Sequence, residues 1–244
     1  MTDLCVDIGN SRTKLGFFEE GALKAQFSVS SNNPNEWAAL LSDNPSFSRA
    51  VVSSVGLPDC PLTEAVKARS RYFLSMESHT PLPFQNGYTT PATLGKDRLC
   101  AAAGAHFLHG GSPLLVVDAG TALTIDLTSC KGDFLGGVIS PGLRMRAEAL
   151  HHYTRRLPLA SLTNVPDYPP VTTADALNGG IIQGILFETE GYIDRCRQQY
   201  PDLQVVATGG DLWLFEKFLN YHIFAEPHLV LYGLFRILIY NANL

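Results

Sequence analysis

The sequence has 244 residues, of which 45% are hydrophobic and 17% are charged, and its formal net charge is −5. This composition can bury a large core, which excludes extensive disorder, and the length suits one large domain or two of roughly 100–150 residues. The acidic balance argues against a nucleic-acid-binding surface, which usually carries an excess of Lys and Arg.

The N-terminus and the cysteines predict a cytoplasmic protein. The segment up to Asp7 is too short and too acidic for a signal peptide, and no stretch approaches the roughly 20 apolar residues that span a bilayer. The five cysteines form no Cys-x-x-Cys pair, which favours reduced thiols over disulfides or a zinc site. We therefore expect neither a membrane nor a nucleic acid as a partner.

The first half of the chain predicts a β-meander followed by alternating strands and helices. A strand ends in the turn Asp7-Ile8-Gly9, a second strand continues to Phe18, and a third spans residues 23–29. The elements predicted after this meander are a strand at 50–55, a helix at 62–71 and a helix at about 94–108. Strands that alternate with helices in this way are typical of an α/β fold.

The second half repeats this plan. A strand ends in the turn Asp118-Ala119-Gly120, and a second strand continues to Leu127. The elements predicted after them are a strand at 134–139, a helix at 173–200, a strand at 203–207, and helices at 213–218 and 229–240. Asp7 and Asp118 hold the same place in the two copies, 118 − 7 = 111 positions apart. A period this long indicates a duplicated domain, because solenoid repeats are about 20–50 residues long.

The duplication predicts two related α/β lobes with a ligand cleft between them. Turn residues cluster at Gly110-Gly111-Ser112-Pro113, which places the boundary there and gives lobes at 1–111 and 112–244. Glycines weaken a helix, so several on one helix indicate either the close approach of another backbone, as at a dimer interface, or loose packing. The long predicted helix contains Gly179, Gly180, Gly184 and Gly191.

The first acidic turn has the residues that a nucleotide phosphate needs. Small residues let backbone N–H groups approach phosphate oxygens, Lys14 adds a positive charge, and Asp7 can act on phosphate only through Mg²⁺. The stretch expected to contact the phosphates is Asp7, Ile8, Gly9, Asn10, Ser11, Arg12, Thr13 and Lys14. An ordinary β-hairpin, in which Asp and Asn only shape the turn, accounts for the same residues.

The second acidic turn favours the nucleotide. With Asp118, Gly120 and Thr121 in this turn, one hairpin from each half would hold a triphosphate from both sides. Thr208-Gly209-Gly210 follows a predicted strand and is a third turn of small residues, suited to admit the nucleoside. The sequence has neither Gly-x₄-Gly-Lys-Ser/Thr nor Gly-x-Gly-x-x-Gly, which excludes a Walker loop and a Rossmann fingerprint.

The order of the three turns resembles the superfamily of acetate kinase, the sugar kinases, actin and the Hsp-type chaperone ATPases. That resemblance implies two ribonuclease-H-like (actin-like) lobes with ATP in the cleft between them. Five segments in register, from residue 4 to about residue 210, resemble the type III pantothenate kinases in particular. These segments are residues 7–14, residues 91–98 with the alanine-rich helix after them, and residues 118–124, 136–142 and 173–176.

The resemblance implies that ATP, with Mg²⁺, phosphorylates pantothenate to 4′-phosphopantothenate, the first step towards coenzyme A. It makes Asp97 the general base for the pantothenate hydroxyl. The pantothenate contacts that it implies are Tyr88, Gly95, Lys96, Asp97, Arg98 and Thr173. Asp118 matches the family's ligand for a monovalent cation, K⁺ or NH₄⁺, while Gly120 and Thr121 belong to the ATP site. The family forms homodimers, in which Thr173 would reach the site of the neighbouring subunit.

Some of the same residues also suit purely structural roles. Asp97 stands where a carboxylate stabilises a helix N-terminus, and Thr172-x-x-Asp175 is a capping box that accounts for hydroxyls beside Thr173 without a substrate. Two further functions fit as well: another small-molecule kinase of the superfamily, and a nucleotide-binding regulatory protein without turnover. The intact aspartates of both turns and Asp97 favour an enzyme, because a protein without turnover needs no base.

Overall fold

The computed structural model describes residues 2–9, 12–31, 34–43, 46–54 and 61–244. Val55, the last residue of one predicted strand, lies outside these ranges. The strands of the first half are β1 (Thr2–Ile8), β2 (Arg12–Glu19), β3 (Ala22–Ser30), β4 (Arg49–Ser54) and β5 (Tyr72–Ser75). Its helices are α1 (Pro34–Asp43), α2 (Pro61–Arg69) and α3 (Lys96–His109).

The second half contains a matching set of strands and longer helices. Its strands are β6 (Leu114–Ala119), β7 (Ala122–Thr128), β8 (Phe134–Pro141), β9 (Gln204–Thr208) and β10 (Phe224–Ala225). Its helices are α4 (Leu143–Tyr153), α5 (Thr173–Gln199), α6 (Leu212–Phe218) and α7 (Leu229–Ala242). No helix in the described ranges combines the length and the apolar character that crossing a bilayer requires.

The strands form two five-stranded sheets of the same topology. The first sheet has the order β3-β2-β1-β4-β5, and the second has the corresponding order β8-β7-β6-β9-β10. In each sheet the central strand pairs antiparallel with the next strand of its hairpin and parallel with the strand on its other side. The prediction of a duplicated α/β fold with two related lobes is therefore confirmed.

The strand register places the two acidic turns at equivalent positions. Asp7, near the end of β1, has its Cα opposite Lys14 on β2 and opposite Ser53 on β4. Asp118, near the end of β6, is opposite Thr124 on β7 and Thr208 on β9. The carboxyl end of each central strand thus carries one aspartate.

The chain divides into two compact units, and their boundary is more complex than the predicted one. Unit 1 contains Met1–Gly111, Lys131–Phe134 and His228–Leu244, and unit 2 contains Ser112–Cys130 and Leu135–Pro227. The segments Lys131–Phe134 and His228–Leu244, which sequence analysis assigned to the lobe at 112–244, pack in unit 1. The physical reason is packing: α7 packs against α3, β1 and β4, and a local sequence pattern does not reveal such long-range contacts.

Both faces of the first sheet are covered within unit 1. Leu4, Val6 and Ile8 of β1 point to the face that packs with α1 and α2. Ile8, a predicted ATP contact, therefore has its side chain in the core. The opposite face carries the buried Cys5 and is covered by α7. The side chains that point to this second face also include Asp7, because residues two apart share a face of a strand.

Two glycines allow α3 and α7 to pack closely. A Cβ at Gly104 would overlap the backbone of α7 at Leu229, and a Cβ at Gly233 would overlap the backbone of α3 at Cys100. Beside this contact, the ring of Phe18 stacks on that of Phe235 with their centroids 4.5 Å apart. The helix pair is thus fixed to the sheet at a single well-packed position.

The core of unit 2 lies between its sheet and the helices α4, α5 and α6. Strand residues such as Val117 and Val205 pack with Ile182 and Ile185 of α5 and with Phe215 of α6. This confirms the prediction of a core helix at 213–218. The α5 residues that face this core recur every three or four positions, as the helical pattern requires.

Among the described residues, the structure adds five elements that sequence analysis did not predict, namely α1, β5, α4, β10 and a 3₁₀ helix at Pro91–Thr93. The strands β5 and β10 have four and two residues, too few to show a period. In α4 only Leu143 and Ala147 are buried, so its apolar face is too narrow to be recognised. Of the predicted helices, the one expected at 62–71 ends two residues early, at Arg69.

Candidate active site

The first acidic turn connects β1 and β2 in unit 1. Asp7 is half-buried, and Lys14, its register partner on β2, is half-buried beside it. The predicted ATP contacts Asn10 and Ser11 lie outside the described residues. The structure therefore places one carboxylate-bearing and one ammonium-bearing residue at the turn end of the hairpin, next to Ser53 of β4.

Side-chain hydrogen bonds from the end of β3 fasten this turn. Ser31 Oγ donates to the carbonyl oxygen of Gly9 over 2.8 Å and lies 3.1 Å from Thr13 Oγ1. The Nε and Nη2 atoms of Arg12 donate to Oγ and to the carbonyl oxygen of Ser28, each over 2.7 Å. The side chains of Arg12 and Thr13 thus hold the hairpin together, so a phosphate would meet the turn chiefly through its backbone.

The predicted general base, Asp97, lies in the first turn of α3. Its Oδ1 accepts a hydrogen bond of 2.9 Å from the backbone N–H of Arg98. Gly95 is the residue before the helix, and a Cβ there would overlap the Asp97 carboxylate. Glycine is thus required for the carboxylate to fold back over the helix N-terminus, where the helix dipole favours its negative charge. Asp97 remains half-buried, and a substrate can still reach it.

Asp7 and Asp97 act on a common neighbour, the thiol of Cys100. Burial raises the pKa of Cys100 well above its ordinary value, the carboxylates of Asp7 and Asp97 raise it further, and Lys96 lowers it. The influence of a carboxylate on a buried group weakens with distance. The first acidic turn and the start of α3, which are far apart in the sequence, thus both act on this thiol.

An aromatic cluster surrounds the guanidinium group of Arg98. The Cζ atom of Arg98 lies 5.7 Å from the ring centroid of Tyr88 and 5.7 Å from that of Phe134. Arg98 is only 4% exposed, whereas Tyr88 is half-buried. Lys96 is more accessible, and its Nζ lies 3.7 Å from a carboxylate oxygen of Glu77. The structure thus brings together the predicted pantothenate contacts of unit 1.

The second acidic turn connects β6 and β7 in unit 2. The N–H of Gly120 donates to the carbonyl oxygen of Ala122 over 3.2 Å, which closes the hairpin. Asp118 is half-buried and Thr121 is exposed. A Cβ at Gly142, which precedes α4, would overlap the carbonyl oxygens of Gly120 and Thr121. The predicted segment 136–142 therefore ends directly against the second turn.

The third turn of small residues also packs against the second acidic turn. A Cβ at Gly209 would overlap the backbone of Ala119, and the N–H of Asp211 donates to the carbonyl oxygen of Ala119 over 2.9 Å. Burial raises the pKa of Asp211 above its ordinary value. Sequence analysis missed Asp211, although an acidic residue directly after Thr208-Gly209-Gly210 is a usable signal. Three segments that are far apart in sequence thus meet around Ala119.

Thr173 begins α5 in unit 2 and is exposed. The helix is capped by its neighbour: Thr172 Oγ1 accepts the backbone N–H of Asp175 over 3.1 Å and donates to Asp175 Oδ2 over 2.7 Å. The predicted capping box is therefore confirmed, and it uses Thr172. The Thr173 hydroxyl is not needed for the cap, so the cap does not account for a hydroxyl at 173.

The described residues contain no cluster of three or more His, Cys, Asp or Glu side chains that could hold a metal ion. The oxygens around the second acidic turn form a different kind of donor set. The Asp118 carboxylate stands at the turn whose carbonyl groups belong to Gly120 and Thr121. Carboxylate and carbonyl oxygens suit hard cations, so these residues fit K⁺ or Mg²⁺ better than a transition metal.

Comparison with known proteins decides the family. The sequence model that describes type III pantothenate kinases matches residues 3–195. The chain belongs to the type III pantothenate kinase family. A type III pantothenate kinase of Phocaeicola vulgatus is 40% identical over 243 residues, which cover 99% of this chain and 100% of the relative. Another, from Bacteroides fragilis, is 39% identical over 98% of both chains.

Solved structures agree with the fold of this pantothenate kinase family member. A Campylobacter jejuni protein assigned to the Baf family of transcriptional activators superposes with a TM-score of 0.63 and 26% identity, covering 99% of this chain and 100% of that one. The ROK hexokinase of Thermus thermophilus superposes with a TM-score of 0.56 at 12% identity, covering 99% and 100% of the two chains. The second likeness shows that this family shares its fold with sugar kinases.

The family match has a direct bearing on the candidate residues. The matched range, 3–195, contains both acidic turns, Asp97 and Thr173. It also contains Phe134, which sequence analysis did not single out. The chain is therefore a kinase whose candidate site residues all lie in the segment that defines the family.

Proposed function

We propose that this chain transfers the γ-phosphate of ATP to the primary hydroxyl of pantothenate, which gives 4′-phosphopantothenate for coenzyme A synthesis. One observation carries the proposal: within the family-matched segment, the half-buried carboxylate of Asp97 at the start of α3 and that of Asp7 at the first acidic turn both raise the pKa of the buried Cys100 thiol. A kinase of this type needs a base beside the phosphates, and this is the carboxylate in that position.

The phosphates of ATP would lie on the two acidic turns. In unit 1, the backbone of residues 8–13 would donate N–H groups, Lys14 would supply a positive charge, and Asp7 would hold Mg²⁺ or its water ligands. In unit 2, Gly120 and Thr121 would contact the phosphates from their hairpin. When bound, Mg²⁺ neutralises charge on the transferring phosphoryl group.

Pantothenate would lie at the start of α3 in unit 1. Asp97 would accept the proton of the attacking hydroxyl, while Gly95 leaves the room that the Asp97 carboxylate occupies. Tyr88, Lys96 and Arg98 would line the pocket. Lys96 is the more exposed cation, and Arg98 is held between two aromatic rings. Lys96 therefore suits direct pairing with the pantothenate carboxylate, and Arg98 suits a fixed position at the pocket wall.

A monovalent cation and a second subunit would complete the site. Asp118, with the oxygens of its turn, would bind K⁺ or NH₄⁺ and offset repulsion near the triphosphate. A concave apolar surface of about 600 Å³ on unit 2 supports a homodimer; its lining residues include Tyr168, Gly180, Gly184 and Phe187. Thr173 begins the same helix, so it would enter the partner subunit's site. We place the enzyme in the cytoplasm, because its cysteines favour reduced thiols.

The decisive experiment compares Asp97→Asn with the parent. Asn keeps the size of the side chain but cannot accept the hydroxyl proton, so phosphorylation of pantothenate should fall by about 10²–10⁴-fold, with the lower figure expected for a loose transition state. Binding of Mg-ATP should be unchanged. Single-turnover phosphorylation and ATP titration measure the two quantities.

The matched control is Glu64→Gln, which removes a carboxylate from the first turn of α2. If Asp97 only stabilised its helix, both variants would lose about 0.3–1 kcal/mol of stability and keep their activity. Turnover of Asp97→Asn within about threefold of the parent would therefore remove Asp97 as the base. A parent that binds ATP but phosphorylates nothing would support a regulatory protein instead.

A further inference from the structure

The short segment Lys131–Phe134 has an unusual place in the fold. It connects β7 to the body of β8, both in the second sheet, yet it packs in unit 1. In unit 1 it lies against the residues proposed to contact pantothenate. No motif in the sequence marks this segment, and the proposed roles do not use it. Its contacts fall into three groups: hydrogen bonds to the chain before Tyr88, the packing of the Phe134 ring, and the packing of Gly132 on α3.

The backbone of the segment holds the chain that leads to Tyr88. The N–H of Phe134 donates to the carbonyl oxygen of Gln85, and the N–H of Gly87 donates to the carbonyl oxygen of Phe134, each over 2.9 Å. The N–H of Gln85 also donates to Asp133 Oδ1 over 3.1 Å. These hydrogen bonds fix the path of the chain immediately before Tyr88.

The side chain of Phe134 contacts both the ring of Tyr88 and the guanidinium group of Arg98. Its ring is fully buried, and its centroid lies 6.2 Å from that of Tyr88 in an edge-on arrangement. The same ring lies 5.7 Å from the guanidinium carbon of Arg98. An aromatic ring in this position attracts the guanidinium group and limits its rotation. Phe134 thus packs against both Tyr88 and Arg98, which also contact each other.

The other end of the segment rests on α3. Gly132 has a positive φ of 88°, and a Cβ there would lie 2.6 Å from the ring of His106. His106 is eight positions after Arg98 on α3, so both residues lie on one face of the helix. The segment therefore packs against α3 at both ends: Gly132 packs against His106, and Phe134 packs against Arg98.

We propose that Lys131–Phe134 is a positioning element of the acceptor site, in which Phe134 sets the places of Tyr88 and Arg98 for pantothenate. The proposal rests on the proposed function and adds a residue that determines affinity for the acceptor. Phe134 is buried and acts through its neighbours, so it is a positioning residue and does not react. These contacts do not include the two acidic turns, so we expect the segment to act on the acceptor and not on ATP.

Two variants test the proposal. Phe134→Leu keeps an apolar side chain and the backbone hydrogen bonds but removes the ring. Gly132→Ala keeps Phe134 but forces a Cβ towards His106 at a backbone angle that L-residues avoid. In both, the KM of pantothenate should rise by about two- to thirty-fold, which is the range expected for losing one cation–π contact. The KM of ATP and kcat should stay within about twofold of the parent.

Each variant has a control in the same unit. Phe18→Leu removes a fully buried ring that stacks on Phe235, and Gly21→Ala places a side chain at a φ of 84° with no atom within 4 Å. Phe18→Leu removes a buried ring, as Phe134→Leu does, and Gly21→Ala places a Cβ at a positive φ, as Gly132→Ala does, so both controls should keep the parental KM of pantothenate. A parental KM in both Phe134→Leu and Gly132→Ala would overturn the proposal. So would a similar rise in the two controls, since it would mean that any loss of packing has this effect.

Failure of the proposed function gives a different result. A parent that binds ATP but neither binds nor phosphorylates pantothenate overturns the proposed substrate, and this inference with it. A parent that phosphorylates pantothenate while its variants show unchanged KM values overturns this inference alone. If Phe134→Leu does not fold, the KM of Gly132→Ala decides the test, because this variant keeps all the parental side chains of the pocket.

Discussion

At the scale of single residues, the two aspartates of the repeat have different neighbours. Asp7 stands opposite Lys14 in the strand register, whereas Asp118 stands opposite Thr124 and Thr208. The first hairpin therefore carries its own positive charge, and the corresponding position in the second carries a hydroxyl. A triphosphate held near Asp118 would need a cation from solution to offset the repulsion.

We therefore predict that K⁺ or NH₄⁺ activates the enzyme through Asp118. Replacing K⁺ by Na⁺ at constant ionic strength should lower the initial rate several-fold in the parent and have little effect in Asp118→Asn. Asp202→Asn, an exposed aspartate in the same unit, serves as the control and should respond to K⁺ as the parent does. Equal rates of the parent in the two salts would show that Asp118 is not a cation ligand.

At the scale of secondary-structure elements, the N-termini of α3 and α5 position candidate site residues, and a close contact with α7 holds α3 in place. At the start of α3, Gly95 leaves room for the Asp97 carboxylate. At the start of α5, Thr172 caps the helix, which leaves the Thr173 hydroxyl available. The contact between α3 and α7 depends on Gly233, where a side chain has no room. This contact lies about one helical turn after Asp97 in α3, since it involves the backbone of Cys100.

The α3–α7 contact gives a prediction about stability. Gly233→Ala should lower the free energy of unfolding by at least about 2 kcal/mol, because the added methyl group forces the two helices apart. Gly191→Ala is the matched change on α5, where an added Cβ meets no atom within 4 Å, and it should raise stability by up to about 1 kcal/mol. Urea titration followed by circular dichroism measures both. Equal effects of the two substitutions would show that the helices do not depend on Gly233 for their close approach.

At the scale of the whole molecule, two features depend on the complete chain. The segments Lys131–Phe134 and His228–Leu244 return to unit 1 after the chain has entered unit 2. In addition, unit 2 exposes large apolar side chains before α5 and near its middle: Tyr168 is 84% exposed and Phe187 is 66% exposed. Exposed apolar patches of this kind usually mark an interaction surface, which is why we assign it to the homodimer.

The dimer prediction can be tested with one substitution and one control. Phe187→Glu places a charge in the middle of the apolar surface and should convert the dimer to a monomer in analytical ultracentrifugation. Its control is Trp213→Glu, which changes another exposed ring, 47% exposed on α6, outside that surface. If Thr173 acts in the partner's site, the monomer should also lose most of its activity. A Phe187→Glu protein that remains dimeric would place the interface elsewhere.

The secondary structure, the duplication and the kinase family could be predicted from the sequence, because each depends on local sequence features. Strands and helices show their period over a few residues, and the repeat of Asp7 and Asp118 shows the duplication. The order of the acidic turns and the residues around Asp97 indicate the kinase family, which the comparisons confirm. The capping box at Thr172 is predictable for the same reason, since its partners are three residues apart.

The tertiary structure decided what depends on contacts between distant residues. Only packing returns α7 and Lys131–Phe134 to unit 1, because a buried helix pair such as α3 and α7 needs surfaces that fit, and no short pattern encodes them. The same holds for the burial of Arg98 between Tyr88 and Phe134, and for the meeting of Asp7 and Asp97 at Cys100. The sequence determined which chemical groups are present, and folding determined which of them are neighbours.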